Sequence, residues 1–202
     1  MSLDDHAPSI GVLANPAAGR DIRRLVAQAS VFPIAEKRNM ITRLFSSLGM
    51  LGVGTVYMMS DGNGIADRIR HALETPPPSD QIWPKVVFLD MPIEDRAVDT
   101  LVAAEKMVAH GVGGIIVLGG DGTHRLVASR AGDVPITALS TGTNNVFPAM
   151  REASIAGLAA AYALPPSALP PRTPNHEYDL GPPRTPGDGG SAQLSLDGVH
   201  ER

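Results

Sequence analysis

The sequence GGDGT, residues 119–123, lies directly after an apolar run and has the composition of a phosphate-binding turn. Gly119 and Gly120 can adopt backbone conformations closed to other residues, and they have no Cβ to block a phosphate. Successive N–H groups at the start of the following helix would add partial positive charge. We therefore predict phosphate binding at this glycine turn, with Gly122 as part of it and Thr123 either capping the helix or donating its hydroxyl to a phosphate oxygen.

Asp121 stands inside the glycine turn, although a carboxylate beside phosphates is repelled by their charge. Such a residue is expected to hold a metal ion, accept a proton or bind a substrate hydroxyl, so it indicates chemistry. The alternative is a tight turn with an aspartate or threonine cap; GDGG at residues 187–190 fits only this alternative, because no strand precedes it. His124 and Arg125 follow in the first helical turn, where they either contact substrate or form an exposed pair.

A second polar segment, residues 140–145, follows another apolar run. Gly142 would permit close approach of a ligand, and hydroxyl and amide groups can bind ribose or phosphate. The candidate ligand-binding residues of this segment are Thr141, Gly142, Thr143, Asn144 and Asn145. Capping of the following helix by Asn144 or Asn145 would explain part of the same pattern.

A third segment, NPAAGR at residues 15–20, follows the first apolar run of the chain. We assign Asn15, Gly19 and Arg20 to the candidate site, because the guanidinium group of Arg20 could neutralise phosphates. Residues 61–63, Asp-Gly-Asn, also follow a strand, but a plain turn is the simpler interpretation. No His, Asp or Glu cluster has the spacing of metal ligands, so we expect any metal to be Mg²⁺ held mainly by phosphates.

The elements that would position these segments are five continuous apolar runs, as expected of strands covered on both faces. They are residues 10–14, 55–59, 86–89, 115–118 and 136–139. Between them lie three stripes with helical spacing: Met40, Ile41, Leu44, Phe45 and Leu48; Ile65, Ile69 and Leu73; and Val98, Leu101, Val102, Met107 and Val108. This alternation predicts an α/β fold with an open, mainly parallel five-stranded sheet and helices on both faces. Ligands of such sheets bind beyond the carboxyl ends of the strands, where the polar segments lie.

Composition limits the other possibilities. The chain has 202 residues, which suits one domain, and a net charge of −4, which argues against nucleic acid as the main partner. It has no cysteine and no apolar run near the roughly 20 residues of a membrane span. Its first residues do not resemble a signal peptide. We therefore expect a cytoplasmic protein that binds small molecules and not membranes.

The segments NPAAG, GGDGT and STGTNN, in this order, resemble the NAD kinase and diacylglycerol kinase superfamily, and most closely its NAD kinase-like members. The resemblance covers residues 10–164 and implies a nucleotide-binding domain that uses ATP, Mg²⁺ and NAD. It implies that Asp121 activates the ribose 2′-hydroxyl of NAD⁺ for attack on the γ-phosphate of ATP. It also implies that the loop with Asn144 and Asn145 contacts nucleotide.

The chain departs from this resemblance after Leu164. Members of the superfamily continue into a β-rich second domain, whereas residues 165–202 are rich in Pro and Gly and have no apolar period. We expect a flexible segment at residues 1–8, a folded domain at 9–164 and a disordered tail at 165–202. A truncated or frame-shifted reading of the gene is our hypothesis for the tail.

Two functions follow from the resemblance and from this departure. The first is an ATP-dependent kinase of NAD kinase type, impaired if the second domain is lost because water is then not excluded. The second is a non-catalytic nucleotide-binding accessory or sensor protein. A lipid or sugar kinase is less favoured, because we find no amphipathic membrane-docking segment. Apolar surface exposed by loss of a cleft-closing domain also predicts self-association into homo-oligomers.

Overall fold

The computed structural model describes residues 7–15, 33–79, 81–141 and 145–164. Within these residues, five strands alternate with five helices. The strands are β1 (Ser9–Ala14), β2 (Thr55–Met58), β3 (Lys85–Phe88), β4 (Ile115–Gly119) and β5 (Ile136–Ser140). The helices are α1 (Ile34–Met50), α2 (Ile65–Leu73), α3 (Ala97–Ala109), α4 (Asp121–Ala131) and α5 (Ala153–Tyr162).

The strands form one parallel sheet in the order β3-β2-β1-β4-β5. In its centre, Ile10 of β1 is level with Val56 of β2, and Gly11 of β1 is level with Ile115 of β4. The chain moves outward from β1 to β3 and then crosses to the other side at β4. The order therefore reverses between β1 and β4, and a crevice for ligands is expected at the carboxyl ends of these two strands.

The core consists of two hydrophobic clusters, one on each face of the sheet. Successive strand residues point to opposite faces, so Val12 belongs to the cluster under α1, α2 and α5, and Leu13 belongs to the cluster under α3 and α4. The predicted α/β fold, with a parallel sheet covered on both faces, is confirmed.

The buried face of α3 differs from the predicted apolar stripe. Ala103, Ala104 and Met107 are buried, whereas Val98 is 39% exposed. The helix packs closely on β1. A Cβ added to Gly11 would stand only 2.5 Å from the sulfur of Met107. The absence of a side chain at Gly11 leaves room for Met107, and Ala103 and Ala104 are buried on the same helix.

The described residues begin before residue 9, the predicted start of the folded domain. Pro8 is buried, and its carbonyl accepts a hydrogen bond from Gly54 N at 3.0 Å, so the ordered chain includes a residue that we assigned to the flexible segment 1–8. The predicted tail, residues 165–202, lies outside the described residues. None of the helices described above is both long and apolar enough to cross a membrane.

Candidate functional site

Asn15 and Thr123 join the two central strands across the crevice. Asn15 directly follows β1, and its side-chain Nδ2 donates a hydrogen bond to Oγ1 of Thr123 at 3.0 Å. Its backbone N donates to the carbonyl oxygen of Leu118 in β4 at 3.2 Å. The segment after β1 and the glycine turn after β4 are therefore in direct contact, at the place that the strand order selects for a ligand.

The three glycines of the turn differ in how closely neighbouring atoms would approach an added Cβ. A Cβ on Gly119 would lie 2.7 Å from the Cβ of Thr123, and a Cβ on Gly120 would lie 2.9 Å from Oδ1 of Asn145. A Cβ on Gly119 would thus overlap Thr123, whereas a Cβ on Gly120 would conflict only with the end of the Asn145 side chain. A Cβ on Gly122 would meet nothing within 4 Å in the described part of the chain.

The carboxylate of Asp121, the first residue of α4, is held by the backbone after β5. Its Oδ2 accepts a hydrogen bond from Val146 N and its Oδ1 accepts one from Phe147 N, both at 2.9 Å. These two hydrogen bonds hold the pKa of Asp121 below its ordinary value of 3.8, assisted by the charge of nearby His124 and opposed by partial desolvation. Asp121 is therefore ionised at neutral pH and anchors residues 146–147 to the start of α4.

Asn145 reinforces the same junction. Its Nδ2 donates to Oγ of Ser140 at 2.7 Å, and its Oδ1 accepts from Asp121 N at 3.4 Å. The predicted capping of the following helix by Asn145 is therefore wrong. Helix α5 begins only at Ala153, and Glu152 caps it by accepting a hydrogen bond from Ile155 N at 3.0 Å. Asn145 instead satisfies a backbone donor at the start of α4, a helix that precedes it in the chain.

His124 is enclosed beneath this junction. The side chain is 3% exposed, its Nδ1 donates to the carbonyl of Gly120 at 2.9 Å, and its ring meets the Phe147 ring edge-on at 5.9 Å. Its Nε2 is buried and has no hydrogen-bond partner among the described residues. Of the two predicted substrate contacts, only Arg125 is exposed, so contact of His124 with a substrate in the cleft would require movement.

The glycine turn forms one wall of an open cleft of about 680 Å³. The lining residues are Asn15, Gly120, Gly122, Thr123, Arg125, Leu126 and Ser129. Sequence reasoning missed Leu126 and Ser129, although their positions four and seven residues after Gly122 place them on the same face of α4.

A second cavity of about 190 Å³ lies beside β1 and β2 and the start of α3. It is lined by Asn15, Met59, Asp61, Asn63, Asp95, Arg96, Ala97, Asp99 and Thr100. Asn15 lines both this cavity and the cleft, so the two spaces meet at the end of β1. Sequence reasoning did not assign Asp95, Arg96 or Asp99 to a site, because nothing in the order of the chain places them beside Asn15.

Asp61 has a structural role within this cavity. Its carboxylate accepts hydrogen bonds from Asn63 N at 2.8 Å, Ile65 N at 3.1 Å and Ala66 N at 2.7 Å. These contacts form a turn and cap the start of α2, so the simpler interpretation of residues 61–63 is confirmed.

Several predicted site residues cannot be compared with the structure. Gly19, Arg20, Gly142, Thr143 and Asn144 lie outside the described residues. Thr141 is described and fully buried, and its hydroxyl has no hydrogen-bond partner within the described part of the chain. The described residues contain no group of three or more His, Asp or Glu side chains that could hold a metal ion.

Lys37 is a neighbour of the site that sequence reasoning missed. The side chain is 1% exposed, and its Nζ donates a hydrogen bond to the backbone oxygen of Asn15 at 3.0 Å. A signal for its burial was present, because Lys37 precedes Met40 and Ile41 by three and four residues. This spacing places it on the buried face of α1.

The fold is a parallel α/β domain with a glycine turn at the point where the strand order reverses. Residues 10–163 match the family described as the ATP-NAD kinase N-terminal domain, and the chain belongs to this family. The chain is also similar to acetoin catabolism protein X of Cupriavidus necator, with 48% identity over 153 residues. The match covers 76% of the chain but only 43% of the length of that relative. No solved structure matches the chain.

Proposed function

We propose that the chain is an ATP-dependent kinase of NAD kinase type, which transfers a phosphoryl group from ATP to the 2′-hydroxyl of NAD⁺ in support of acetoin catabolism. The family match and the name of the relative support this proposal. As a kinase of free nucleotides, the protein would act in the cytoplasm, and its partners would be small molecules rather than nucleic acid or membranes.

The observation that carries the proposal is the glycine at position 122. Gly122 lies in the first turn of α4 and lines the cleft, and a Cβ there would contact no atom of the described residues within 4 Å. Alanine would stabilise a helix at such a position relative to glycine, so the fold itself gives no reason for glycine. A group outside the described residues that approaches the backbone closely, such as a phosphate at the helix N-terminus, supplies the reason.

The proposed reaction uses the site as follows. The backbone N–H groups of the glycine turn bind phosphate oxygens, and the exposed Arg125 adds positive charge to the cleft. The acceptor oxygen attacks the γ-phosphorus of ATP, the bond from that phosphorus to the β,γ-bridging oxygen breaks, and ADP leaves. Asp121 accepts a hydrogen bond from the attacking hydroxyl and takes its proton as the new bond forms.

The lowered pKa of Asp121 makes it a weak base, which suits orienting the hydroxyl more than removing its proton early. Its oxygens are engaged by Val146 and Phe147, so binding of the acceptor would share or replace these hydrogen bonds.

Mg²⁺ fits this site only as an ion carried by the phosphates, because the described residues offer no metal-binding cluster of their own. When bound, it would neutralise charge on the transferring phosphate. The second cavity meets the cleft at Asn15, and its acceptors, including the carboxylate of Asp95, are suited to ribose hydroxyls.

The experiment is a kinase assay of the purified full chain with ATP, Mg²⁺ and NAD⁺, with formation of NADP⁺ as the readout. We expect turnover in the wild type and its loss in Asp121→Asn, while both proteins are stabilised thermally by ATP. Asp133→Asn, which changes an exposed carboxylate outside these contacts, is the matched control and should retain turnover.

A second candidate function is that of a nucleotide-binding accessory or sensor protein without turnover. It is favoured by the engagement of both oxygens of Asp121 in backbone hydrogen bonds. Stabilisation by nucleotide without NADP⁺ formation would select this candidate. A wild type that shows neither stabilisation nor turnover would exclude both.

A further inference from the structure

Lys37 places a buried positive charge next to the cleft. It is the fourth residue of α1, and its 1% exposure puts it among the most buried large side chains of the described chain. Burial of an ammonium group is costly unless it is compensated by hydrogen bonds or opposite charge. At least one of those hydrogen bonds goes to the backbone oxygen of Asn15, at 3.0 Å.

Asn15 makes at least three hydrogen bonds to described residues. Its backbone N donates to Leu118, its backbone oxygen accepts from Lys37, and its side chain donates to Thr123. The following residue is a proline, which disfavours the helical region for Asn15. These contacts fix Asn15 at the end of β1, and Lys37 holds its backbone oxygen.

The hydrogen bond from Asn15 fixes the hydroxyl of Thr123. An amide N–H can only donate, so Oγ1 of Thr123 uses a lone pair to accept it. The hydroxyl proton then points elsewhere, and no acceptor for it is found among the described residues. Since Thr123 lines the cleft, this proton is available to a phosphate oxygen.

We infer that Lys37 is a positioning residue for nucleotide binding. It holds Asn15, which orients the Thr123 hydroxyl as a donor towards phosphate. This inference rests on the proposed function, because it assumes that a nucleotide phosphate occupies the cleft. The link from Lys37 to Asn15 and Thr123 is independent of that assumption and can be tested without any ligand.

The test compares Lys37→Met with Arg38→Met in the full chain. Methionine keeps the apolar stem of lysine and removes the charge. Arg38 is the next residue of the same helix and is exposed, so its variant removes the same charge without touching Asn15. In titration calorimetry with ATP, we expect about tenfold weaker binding for Lys37→Met and no more than about a twofold change for Arg38→Met.

A double variant separates positioning from a general effect on the fold. In a Thr123→Val background the hydroxyl is already absent, so adding Lys37→Met should weaken ATP binding by less than about twofold. A full, additive loss in this background would contradict the inference.

The ligand-free readout is hydrogen exchange of the Asn15 side-chain amide, followed by NMR. We expect about tenfold faster exchange in Lys37→Met and unchanged exchange in Arg38→Met. Unchanged exchange in Lys37→Met would overturn the inference, even for a protein that binds no ATP. Failure of ATP to bind the wild type would instead overturn the proposed function.

If Lys37→Met does not fold, Lys37→Gln takes its place. The glutamine side chain is uncharged and one atom shorter than lysine, so we expect it to lose the hydrogen bond to Asn15 as well. It should show the same faster exchange of the Asn15 amide. Exchange at the wild-type rate in this folded variant would overturn the inference.

Discussion

Oδ1 of Asp121 accepts a 2.9 Å hydrogen bond from the backbone N of Phe147. The residue that we propose to act on the acceptor hydroxyl therefore also holds the segment that follows β5. Binding of a substrate to this carboxylate is therefore coupled to the position of residues 146–147, because the substrate and the two backbone N–H groups would compete for the same oxygens.

The hydrogen bonds of Asp121 predict a pH-dependent contribution to stability. The pKa of this carboxyl is lowered in the folded protein, chiefly by the hydrogen bonds from Val146 and Phe147, so folding favours the ionised form. The contribution should be fully present above the unfolded value of 3.8 and lost as the pH falls through the lower folded value. Urea unfolding of the wild type and Asp121→Asn should therefore show a stability difference that shrinks in acid. A difference that stays constant from neutral pH to well below 3.8 would contradict this origin.

Gly119 and Gly122 should respond oppositely to substitution by alanine. Gly122→Ala should raise the free energy of unfolding by roughly 0.5–1 kcal/mol, because alanine favours the helix and its Cβ would meet none of the described residues. It should nevertheless weaken ATP binding, because the new Cβ enters the cleft. Gly119→Ala should lower the free energy of unfolding by roughly 1–3 kcal/mol, because its Cβ would overlap Thr123. Urea unfolding and titration calorimetry check both, and unchanged ATP affinity in Gly122→Ala would argue against phosphate at this turn.

Asn145→Asp should be more destabilising than Asn145→Ala at neutral pH. Alanine removes the hydrogen bonds to Ser140 and Asp121, at a cost of about 1–2 kcal/mol. Aspartate also removes the donor to Ser140 and adds a negative charge close to the carboxylate of Asp121. The excess cost should diminish in high salt, which urea unfolding at two ionic strengths would reveal. Equal stability of the two variants would show that this repulsion is negligible.

Apolar side chains next to the site predict self-association. Val146, Phe147 and Met150 are 97%, 70% and 68% exposed, although they lie within a few residues of each other. We expect sedimentation velocity to show concentration-dependent association of the wild type, reduced in the double variant Val146→Ser with Met150→Gln. Ile82→Gln removes a similarly exposed side chain, 71%, and should leave association unchanged. A wild type that stays monomeric at high concentration would contradict the prediction.

The strands could be predicted to within one residue, because buried parallel strands are continuous apolar runs. The run at residues 115–118, for example, became β4, Ile115–Gly119. The burial of Ala103 and Ala104 on α3 could not be predicted, because the larger aliphatic residues of this helix indicated a different stripe.

Asn15 and the glycine turn could both be predicted to follow strands, at the edge of the sheet where ligands bind, but no strand order was predicted that would make them neighbours. The partners of single side chains could not be predicted. Asn145 contacts Asp121, which lies 24 residues earlier in the chain, and Lys37 contacts Asn15 across 22 residues. Local patterns carry no information on such contacts, so Asn145 was predicted to cap the wrong helix and Lys37 was missed.

The pairing of β1 with β4 has a consequence for folding. Gly11 of β1 is level with Ile115 of β4, so about a hundred residues must be synthesised between the two strands. Until β4 emerges, β1 presents an unpaired apolar edge, which is a site for aggregation. Contacts of such long sequence separation also slow folding. The Asn15–Thr123 hydrogen bond, which spans 108 residues, can form only after this step, so the proposed nucleotide site should be among the last parts of the chain to assemble.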